Sequence, residues 1–422
     1  MNNTPKKENE TCVIIGASHA GVNLAFGLRR EGWSGDIHLY DTDPELPYHR
    51  PPLSKAYLTS GDTIEKNQLR SSESYKSENI ALHLGSTVKE INRENKKIVL
   101  GNGSLQSYDK LVIASGARPI IPPIPGIETA KNIFPIRTAA DINNIREALS
   151  KSITKRVVII GGGYIGLETA ASLKKLGATV TVLEREKRIL ARVTAPEMSS
   201  FFQLIHNENG VDIITSKNVN KIEYKNDKNT ILCADNTSYI ADIVIVGVGI
   251  FVNKELAEQA GILCKNGICV DENTRTNDPD IFAIGDCSYH YNPHYDKYLR
   301  LESVQNAIDQ AKVTAATLCC KEIIYDTIPW FWSDQYNVKL QMVGLSQGYN
   351  QIILRKESGE GTYGDSFSVW YFKDETLLAV DAVNNAKAYV IGTKFIKGNL
   401  KVNKQKLANP ETAFKPNNLL LE

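Results

Sequence analysis

The sequence predicts an α/β protein that contains two Rossmann-like dinucleotide-binding domains and a C-terminal α+β domain. A pattern of apolar strand, glycine-rich loop and helix occurs twice, starting at Thr11 and again at Arg156. Each copy is followed by another apolar strand that ends in an acidic residue, Asp41 in the first and Glu184 in the second. Continuous apolar runs are typical of strands in a buried parallel sheet. After Pro329, shorter strands separated by Gly, Asn and Asp indicate the antiparallel part of an α+β domain.

Length and composition are those of a globular protein of two to three domains, since the chain has 422 residues, of which 23% are charged. The formal net charge of +1 argues against a nucleic-acid binder, which would carry a basic excess. No apolar run is long enough for a membrane-spanning helix, and residues 1–11 are polar, without a signal-peptide core. The seven cysteines are scattered and odd in number, which suggests reduced thiols, and the lack of four clustered cysteines argues against an iron–sulfur cluster. We expect no metal site. We therefore expect a cytoplasmic protein that binds neither nucleic acid nor membrane.

The second glycine loop has the complete dinucleotide fingerprint, Gly161-x-Gly163-x-x-Gly166. Glycines at this spacing permit a tight turn, close approach of a pyrophosphate, and close packing of the helix on the strand. The phosphates then bind backbone N–H groups at the start of the helix. Two more glycines follow the apolar run at 243–246, where another strand should end at the same site. The expected cofactor contacts are Gly161, Gly163, Tyr164, Ile165, Gly166, Gly247 and Gly249.

The acidic residue after this loop bears on the choice of nicotinamide cofactor. Glu184 ends the next strand, where a carboxylate accepts hydrogen bonds from the ribose hydroxyls and repels a 2′-phosphate. The sequence therefore favours NADH. Three basic residues that follow, Arg185, Lys187 and Arg188, leave NADPH open as an alternative.

The first glycine loop, Gly16-x-Ser18-x-x-Gly21, departs from the fingerprint at one position. A serine is less compact than glycine against a pyrophosphate, but its hydroxyl can donate a hydrogen bond to it. Asp41 is the matching ribose acceptor, and Thr42 lies beside it. The loop predicts a second dinucleotide site.

The segment 276–286 identifies the ligand of that first site. Its strand ends at Gly285 and Asp286, where glycine lets the backbone come close and the aspartate can bind a polyhydroxyl chain. The segment resembles the second FAD fingerprint of flavoproteins with two dinucleotide domains, in which this aspartate binds the ribityl chain. We therefore predict an FAD-binding domain at 1–115 and 250–328, an NAD-binding domain at 116–249, and the C-terminal domain at 329–422.

Four further segments, at 46–55, 192–197, 300–306 and 329–336, resemble the NADH-dependent ferredoxin reductases that serve cytochrome P450 and Rieske oxygenase systems. The resemblance runs from about residue 10 to about residue 400, in order and spacing. It implies FAD contacts at Ala20, Asp41 or Thr42, Lys55, Val88, Arg137, Asp286 and Val304.

Three residues are candidates for a catalytic role. Lys55 follows a rigid Pro-Pro turn and is suited to neutralising the anion of reduced flavin, and its motif context favours this role over that of a solvated surface lysine. Glu168 is a candidate buried partner for Lys55, or only an acid near the start of a helix. Trp332 could shield the flavin ring, although Trp332 and Trp330 could equally pack in the core of the C-terminal domain.

The predicted reaction is electron transfer from NADH through FAD to a separate [2Fe–2S] ferredoxin that binds transiently, or less readily to a rubredoxin. The oligomeric state, monomer or homodimer, stays open. The alternatives are an NADH oxidase or peroxide reductase, a monodehydroascorbate-type reductase, and a redox-gated signalling flavoprotein like apoptosis-inducing factor. The oxidase and peroxide reductase normally use a cysteine beside the flavin, and segment 47–55 has none. Cys264 and Cys269 flank a predicted turn, so we interpret them as structural.

Overall fold

The computed structural model describes residues 10–361 and 363–421, which form two compact units. The first unit comprises 10–49, Thr63–Arg118 and Phe251–Pro329. The second comprises Arg50–Asp62, Pro119–Ile250 and the described part of Trp330–Glu422. Residues 50–62 thus belong to the second unit, although the sequence on both sides of them belongs to the first. The division into three domains stays a prediction.

The strands are, in chain order, β1 (Cys12–Ile15), β2 (Ile37–Tyr40), β3 (Ile80–His83), β4 (Val88–Asn92), β5 (Lys97–Leu100), β6 (Leu105–Ser107), β7 (Lys110–Ile113), β8 (Ala117–Pro119), β9 (Ile133–Phe134), β10 (Arg156–Ile160), β11 (Thr179–Leu183), β12 (Asp212–Ile214), β13 (Val219–Lys225), β14 (Lys228–Cys233), β15 (Ser238–Ala241), β16 (Ile243–Val246), β17 (Ile250–Val252), β18 (Ile268–Val270), β19 (Ile281–Ala283), β20 (Ser288–Asn292), β21 (Lys297–Leu299), β22 (Trp330–Gln335), β23 (Val338–Gly344), β24 (Gln351–Ser358), β25 (Ser366–Lys373) and β26 (Thr376–Val383).

The α-helices are α1 (His19–Glu31), α2 (Ala56–Ser60), α3 (Ser72–Ser77), α4 (Ala139–Lys151), α5 (Tyr164–Lys175), α6 (Pro196–Glu208), α7 (Glu255–Gln259), α8 (Val304–Leu318), α9 (Ala386–Lys397) and α10 (Lys404–Ala408). Among the described residues, none of these helices combines the length and hydropathy that a membrane crossing requires.

A parallel sheet in the order β19-β7-β1-β2-β3 organises the first unit. Its strands are short apolar runs, and β1 is completely buried. Helices α1 and α8 contact each other and share one core with the sheet, which includes Ile14, Leu24, Val112 and Ala311. Small residues on both helices permit their close approach. The sheet therefore fixes the loop after β1, the turn after β19 and the start of α8.

A second parallel sheet, in the order β12-β11-β10-β16-β9, has the same plan within the second unit. Strand β10 corresponds to β1, β11 to β2, and β16 to β7. The helix after the first strand of this sheet is α5, which begins directly at the glycine loop. Both predicted β-α-β patterns are therefore present.

The antiparallel sheet β22-β23-β26-β25-β24 forms the C-terminal part of the second unit, with α9 packed against it. Ala388, Ile391 and Phe395 lie three and four positions apart on α9 and are buried, as expected for one apolar helix face. The predicted α/β class with a C-terminal α+β part is thus confirmed. The sequence does not predict β22, because its Trp-Phe-Trp run lacks the alternation of apolar and polar residues that marks a half-buried strand.

Candidate cofactor and active sites

Backbone packing requires two of the glycines in the loop before α5. Gly161 has a φ of +113°, and a Cβ added there would lie 2.3 Å from the carbonyl oxygen of Gly247. A Cβ on Gly166 would lie 2.2 Å from the carbonyl oxygen of Gly161. The loop, the end of β16 and the helix are therefore held together as closely as the backbone permits.

Gly163 differs from these two glycines, because no neighbouring atom of the described residues requires a glycine at this position. It is the N-cap of α5, with φ −81°, and an added Cβ would meet no described atom within 4 Å. The first turn of α5 also carries no acidic residue. An open glycine in front of a helix N-terminus fits a pyrophosphate that approaches the backbone closely. Tyr164 and Ile165, the first two residues of α5, border the same space, and Ile165 is exposed.

Glu184 lies directly after β11 and contacts this loop. Its Oε2 accepts a hydrogen bond of 2.7 Å from the backbone N–H of Gly162, and its Oε1 accepts one of 2.8 Å from Glu186. A carboxylate offers about four acceptor positions, so two remain for the hydroxyls of a ribose.

Two of the three basic residues that follow have partners within the protein. Arg188 donates to Ser199 Oγ at 2.7 Å and to the carbonyl oxygen of Ala191 at 2.9 Å, so its guanidinium stabilises the local fold. Arg185 is exposed and lies 3.3 Å from the carboxylate of Glu186. The geometry therefore favours NADH.

The loop before α1 repeats this construction in the first unit. Gly16 has a φ of +109°, and an added Cβ would lie 2.2 Å from the carbonyl oxygen of Ala114. A Cβ on Gly21 would lie 1.9 Å from the carbonyl oxygen of Gly16. Asp41 accepts a hydrogen bond of 2.5 Å from the N–H of Ala17, as Glu184 does from the residue after its first glycine.

Ser18 is the N-cap of α1, but its side chain makes no capping hydrogen bond to that helix in the described part of the chain. Its hydroxyl is therefore available to a ligand at the helix N-terminus. Thr42 follows Asp41 and is exposed, and Val88 begins β4 and is buried. These placements leave the contacts predicted for Thr42 and Val88 as predictions.

The turn Gly285–Cys287 lies beside the start of α1. Gly285 has a φ of +78°, and an added Cβ would lie 3.2 Å from the Cβ of Ala20. The N–H of Gly285 donates to Oε1 of Gln310 on α8 at 2.7 Å, and Val304 is the first residue of the same helix. The first unit therefore holds Ala20 and Asp286, which is next to Gly285, on the elements that would surround one ligand.

Lys55 and Glu168 form an ion pair within the second unit. Lys55 follows the short helical turn Pro51–Ser54, and its Nζ lies 2.6 Å from Oε2 of Glu168 on α5. The side chain of Glu168 is only 1% exposed, and that of Lys55 is 18% exposed. Ser54 Oγ donates to the same Oε2 at 2.6 Å, and Ser333 Oγ donates to Oε1 at 2.6 Å. The buried carboxylate thus has a cation and two hydroxyl donors.

Ser54 and Ser333 are the site residues that the sequence does not predict. Both lie in segments that carry the family resemblance. The sequence features that could have indicated them are the position of Ser54 beside Lys55 and that of Ser333 after the aromatic run of β22. Nothing local connects either serine to an acid more than a hundred positions away in the chain.

Trp332 and Arg137 both lie in the second unit. The ring centroids of Phe331 and Tyr164 lie 5.4 Å apart, and Ser333 bonds to Glu168, so Phe331 and Ser333 face α5. Side chains alternate along a strand, so Trp332 lies on the other face of β22. There its ring centroid is 5.5 Å from that of Trp330. Arg137 precedes α4, and its N–H donates to Asp141 at 3.0 Å. The catalytic and flavin-binding roles of these residues stay predictions.

Comparison with known proteins identifies the family. The model of the pyridine nucleotide-disulphide oxidoreductases matches residues 10–311, and a reductase C-terminal model matches residues 330–417. The chain belongs to the pyridine nucleotide-disulphide oxidoreductase family. This oxidoreductase is 42% identical to putidaredoxin reductase CamA of Pseudomonas putida over 412 residues, which cover 96% of each chain. It is 38% identical to the 5,5′-dehydrodivanillate O-demethylase ferredoxin reductase subunit of a Sphingobium strain, over 96% of this chain and 97% of the relative.

A solved structure of a covalent putidaredoxin reductase–putidaredoxin complex superposes on the oxidoreductase with a TM-score of 0.92 and 42% identity, and covers 97% of this chain and 98% of that one. The resemblance to the ferredoxin reductases is therefore confirmed. FAD and NADH are the cofactors of the oxidoreductase.

The thiols give no support to the disulfide chemistry in the family's description. Cys264 and Cys269 are both free, and burial raises the pKa of Cys264 to about 11 and also raises the pKa of Cys269. In the part of the chain that is described, no group of three or more His, Cys, Asp and Glu side chains could hold a metal ion.

Proposed function

We propose that this oxidoreductase is an NADH-dependent ferredoxin reductase that passes electrons from NADH through FAD to a [2Fe–2S] ferredoxin of an oxygenase system. The observation that carries the proposal is the pair of glycine loops, one in each unit, with an acid anchored to each loop in the same way. Relatives named as the ferredoxin reductase components of an O-demethylase and of a dioxygenase system match nearly the whole chain. FAD, when bound, supplies the step from a two-electron hydride donor to a one-electron acceptor.

The residues of the first unit would bind FAD. The N–H groups at the start of α1 and the hydroxyl of Ser18 would hold the pyrophosphate, and Asp41 would accept from the adenosine ribose. Asp286 would accept from the ribityl hydroxyls. Val88 and Thr42 would contact the adenosine half, and Val304 would present the first N–H groups of α8.

The residues of the second unit would bind and orient NADH. The start of α5 would hold its pyrophosphate at Gly163, and Glu184 would accept from its ribose. Lys55 would act as the catalytic cation that stabilises negative charge on reduced flavin, with Glu168 fixing its position. Trp332 and Arg137 are assigned to the flavin on the family resemblance alone.

We assign the protein to the cytoplasm, where NADH is supplied and thiols stay reduced. The cysteines that carry free thiols include Cys12, Cys233, Cys264, Cys269 and Cys287.

The flavin assignment is tested by Asp286→Ala. Loss of the carboxylate should lower the amount of FAD retained per chain after gel filtration, because the ribityl hydroxyls lose their acceptor. Asp296→Ala, an exposed acid of the same unit, is the matched control and should retain FAD normally. Equal FAD content in both variants would contradict the role of Asp286.

The acceptor is tested by NADH oxidation with a panel of purified [2Fe–2S] ferredoxins and a rubredoxin, against oxygen alone. We expect at least one ferredoxin to be reduced far faster than oxygen. Faster turnover with oxygen or peroxide would favour an oxidase or peroxide reductase instead, and slow turnover with every acceptor would favour a signalling flavoprotein.

A further inference from the structure

A strained segment lies directly behind the proposed NADH loop. The N–H of Leu190 donates to the carbonyl oxygen of Gly162 at 3.0 Å, and a Cβ added to Gly162 would lie 2.7 Å from Cγ2 of Ile189. Leu190 has a φ of +54° and is 3% exposed. A leucine in the left-handed region is costly and persists only where surrounding contacts enforce it. Something must therefore keep this segment against the loop.

The contacts that do so come from the C-terminal sheet. Asp381 of β26 is 3% exposed, and its Oδ2 accepts from Thr194 Oγ1 at 2.7 Å and from the Tyr371 hydroxyl at 2.5 Å. The hydroxyls of Thr194 and Tyr371 lie 2.8 Å apart, and the Tyr371 oxygen also accepts from the N–H of Ala195 at 3.2 Å. We call Thr194, Tyr371 and Asp381 the anchor cluster. It fixes the segment only four residues after Leu190.

A second link from the same sheet reaches the other end of the loop. The Tyr164 hydroxyl, at the start of α5, donates to Sδ of Met342 at 2.9 Å. Met342 on β23 is paired with Asp381 across the sheet. Burial raises the pKa of Tyr164 well above its ordinary value, with a further contribution from the charge of Asp381. The loop therefore contacts the anchored segment at Gly162 and the sheet itself at Tyr164.

We propose that the anchor cluster positions the NADH-binding glycine loop, so that Thr194, Tyr371 and Asp381 are positioning residues for NADH although they need not touch it. The inference rests on the proposed function, since it takes this loop as the NADH site. It also gives a role to the segment 192–197, which carries the family resemblance but has no other assignment.

The test compares Tyr371→Phe and Thr194→Val with Ser368→Ala in the FAD-loaded enzyme. Each substitution removes one buried hydroxyl, but Ser368 lies on β25 outside the anchor cluster, where it accepts from Trp370 Nε1 at 2.9 Å. NADH oxidation is measured with ferricyanide, and NADH affinity by titration. We expect the KM and Kd for NADH to rise about tenfold in the first two variants, with a limiting rate within about twofold of the wild type. Ser368→Ala should leave all three quantities unchanged.

Hydrogen exchange gives a readout that does not depend on turnover. The amides of Leu190 and Ala195 should exchange slowly in the wild type and much faster in Tyr371→Phe or Thr194→Val, while those of β24 keep their protection. Thr194→Val interrupts the cluster from the other side and keeps the test decisive if Tyr371→Phe does not fold.

The possible outcomes separate the two proposals. An unchanged Kd for NADH in the folded anchor variants would overturn the positioning role, and so would an equal rise in Ser368→Ala, because that would show general loosening of the sheet. A wild type that neither binds NADH nor is reduced by it would instead overturn the proposed function.

Discussion

The carboxylate of Glu168 is nearly inaccessible to water, and its three donors come from two separate segments of the chain: Ser54 and Lys55 directly before α2, and Ser333 of β22. A buried charge in a protein is tolerated only when it is paired and hydrogen-bonded. The cluster therefore fixes Lys55 relative to α5, and a cation held in this way loses little entropy when it acts on a cofactor.

Removal of the Lys55 cation should leave the buried Glu168 carboxylate without a counter-charge and so destabilise the folded protein. We expect Lys55→Met to lower the free energy of unfolding by about 3 kcal/mol, because the buried carboxylate loses its counter-charge. The double variant Lys55→Met, Glu168→Gln should recover part of that loss. Lys151→Met breaks an exposed helix pair with Glu147 and should cost less than about 1 kcal/mol. Chemical unfolding of the FAD-loaded variants measures these differences, and similar losses for both lysines would refute the argument.

Glu184 should control which nicotinamide cofactor is used. Glu184→Gln keeps an oxygen that can accept from Gly162 but removes the charge that repels a 2′-phosphate. We expect the KM for NADH to rise several-fold with little change in the limiting rate, and the preference for NADH over NADPH to fall. Glu186→Gln, an exposed acid two residues later, should change neither value. A wild type that prefers NADPH would be incompatible with this role.

At the scale of elements, the same order of strand, loop and helix occurs in both units, and the glycine fingerprint differs between them at one position. In each, the acid after the second strand accepts from the N–H that follows the first glycine. The first loop has Ser18 where the second has Gly163. The acids therefore support the loop in addition to the ligand-binding role proposed for them, a structural role that the sequence pattern does not predict.

Glycine-to-alanine substitutions separate the packing role of this loop from its ligand role. Gly163→Ala should leave unfolding within about 1 kcal/mol of the wild type, because its Cβ would enter open space at an N-cap. The same change should raise the KM for NADH tenfold or more, since the methyl group would occupy the space of the pyrophosphate. Gly161→Ala and Gly166→Ala should instead destabilise the protein, because their Cβ atoms would meet backbone at 2.3 and 2.2 Å. Kinetics with ferricyanide and thermal unfolding together decide the point, and a normal KM for Gly163→Ala would count against the NADH site.

The elements that the sequence predicts well are those with a strong local signal. The buried strands, the glycine loops and α9 follow from apolar runs and spacing within a few residues. The contacts that complete the site join positions that are distant in the chain, such as Ser333 with Glu168 and Thr194 with Asp381, 165 and 187 positions apart. No local pattern encodes such pairs, and β22, which carries Ser333, lacks the alternation that predicts strands.

At the scale of the whole molecule, the predicted cofactor contacts are divided between the two units. The candidate FAD contacts Ala20, Asp41 and Asp286 lie in the first unit, whereas Lys55, Arg137 and every candidate NADH contact lie in the second. With the contacts assigned in this way, we expect conditions that unfold either unit to abolish hydride transfer.

Acid should be such a condition, because each unit contains a buried neutral histidine. His290 in the first unit is 2% exposed and His206 in the second is completely buried, where it contacts Gln335 at 2.8 Å. Burial lowers the pKa of each imidazole to about 4. Asp381 in the second unit has the opposite effect on the pH dependence of stability, because burial raises the pKa of its carboxyl to about 6.

The sign of the effect follows from which state binds more protons. Between pH 4 and the ordinary histidine pKa of about 6.5, the unfolded chain is protonated at these histidines and the folded chain is not, so stability is lost as pH falls through this window. Each histidine should contribute a loss of about 3 kcal/mol by pH 4, and in the second unit protonation of Asp381 should offset part of it. Because the two histidines have the same lowered pKa, we expect His290→Asn and His206→Gln to flatten the decline in stability between pH 6.5 and 4 by similar amounts. Chemical unfolding of the FAD-loaded wild type and both variants across this range measures the slopes. Slopes identical to that of the wild type in both variants would mean that other groups cause the acid sensitivity.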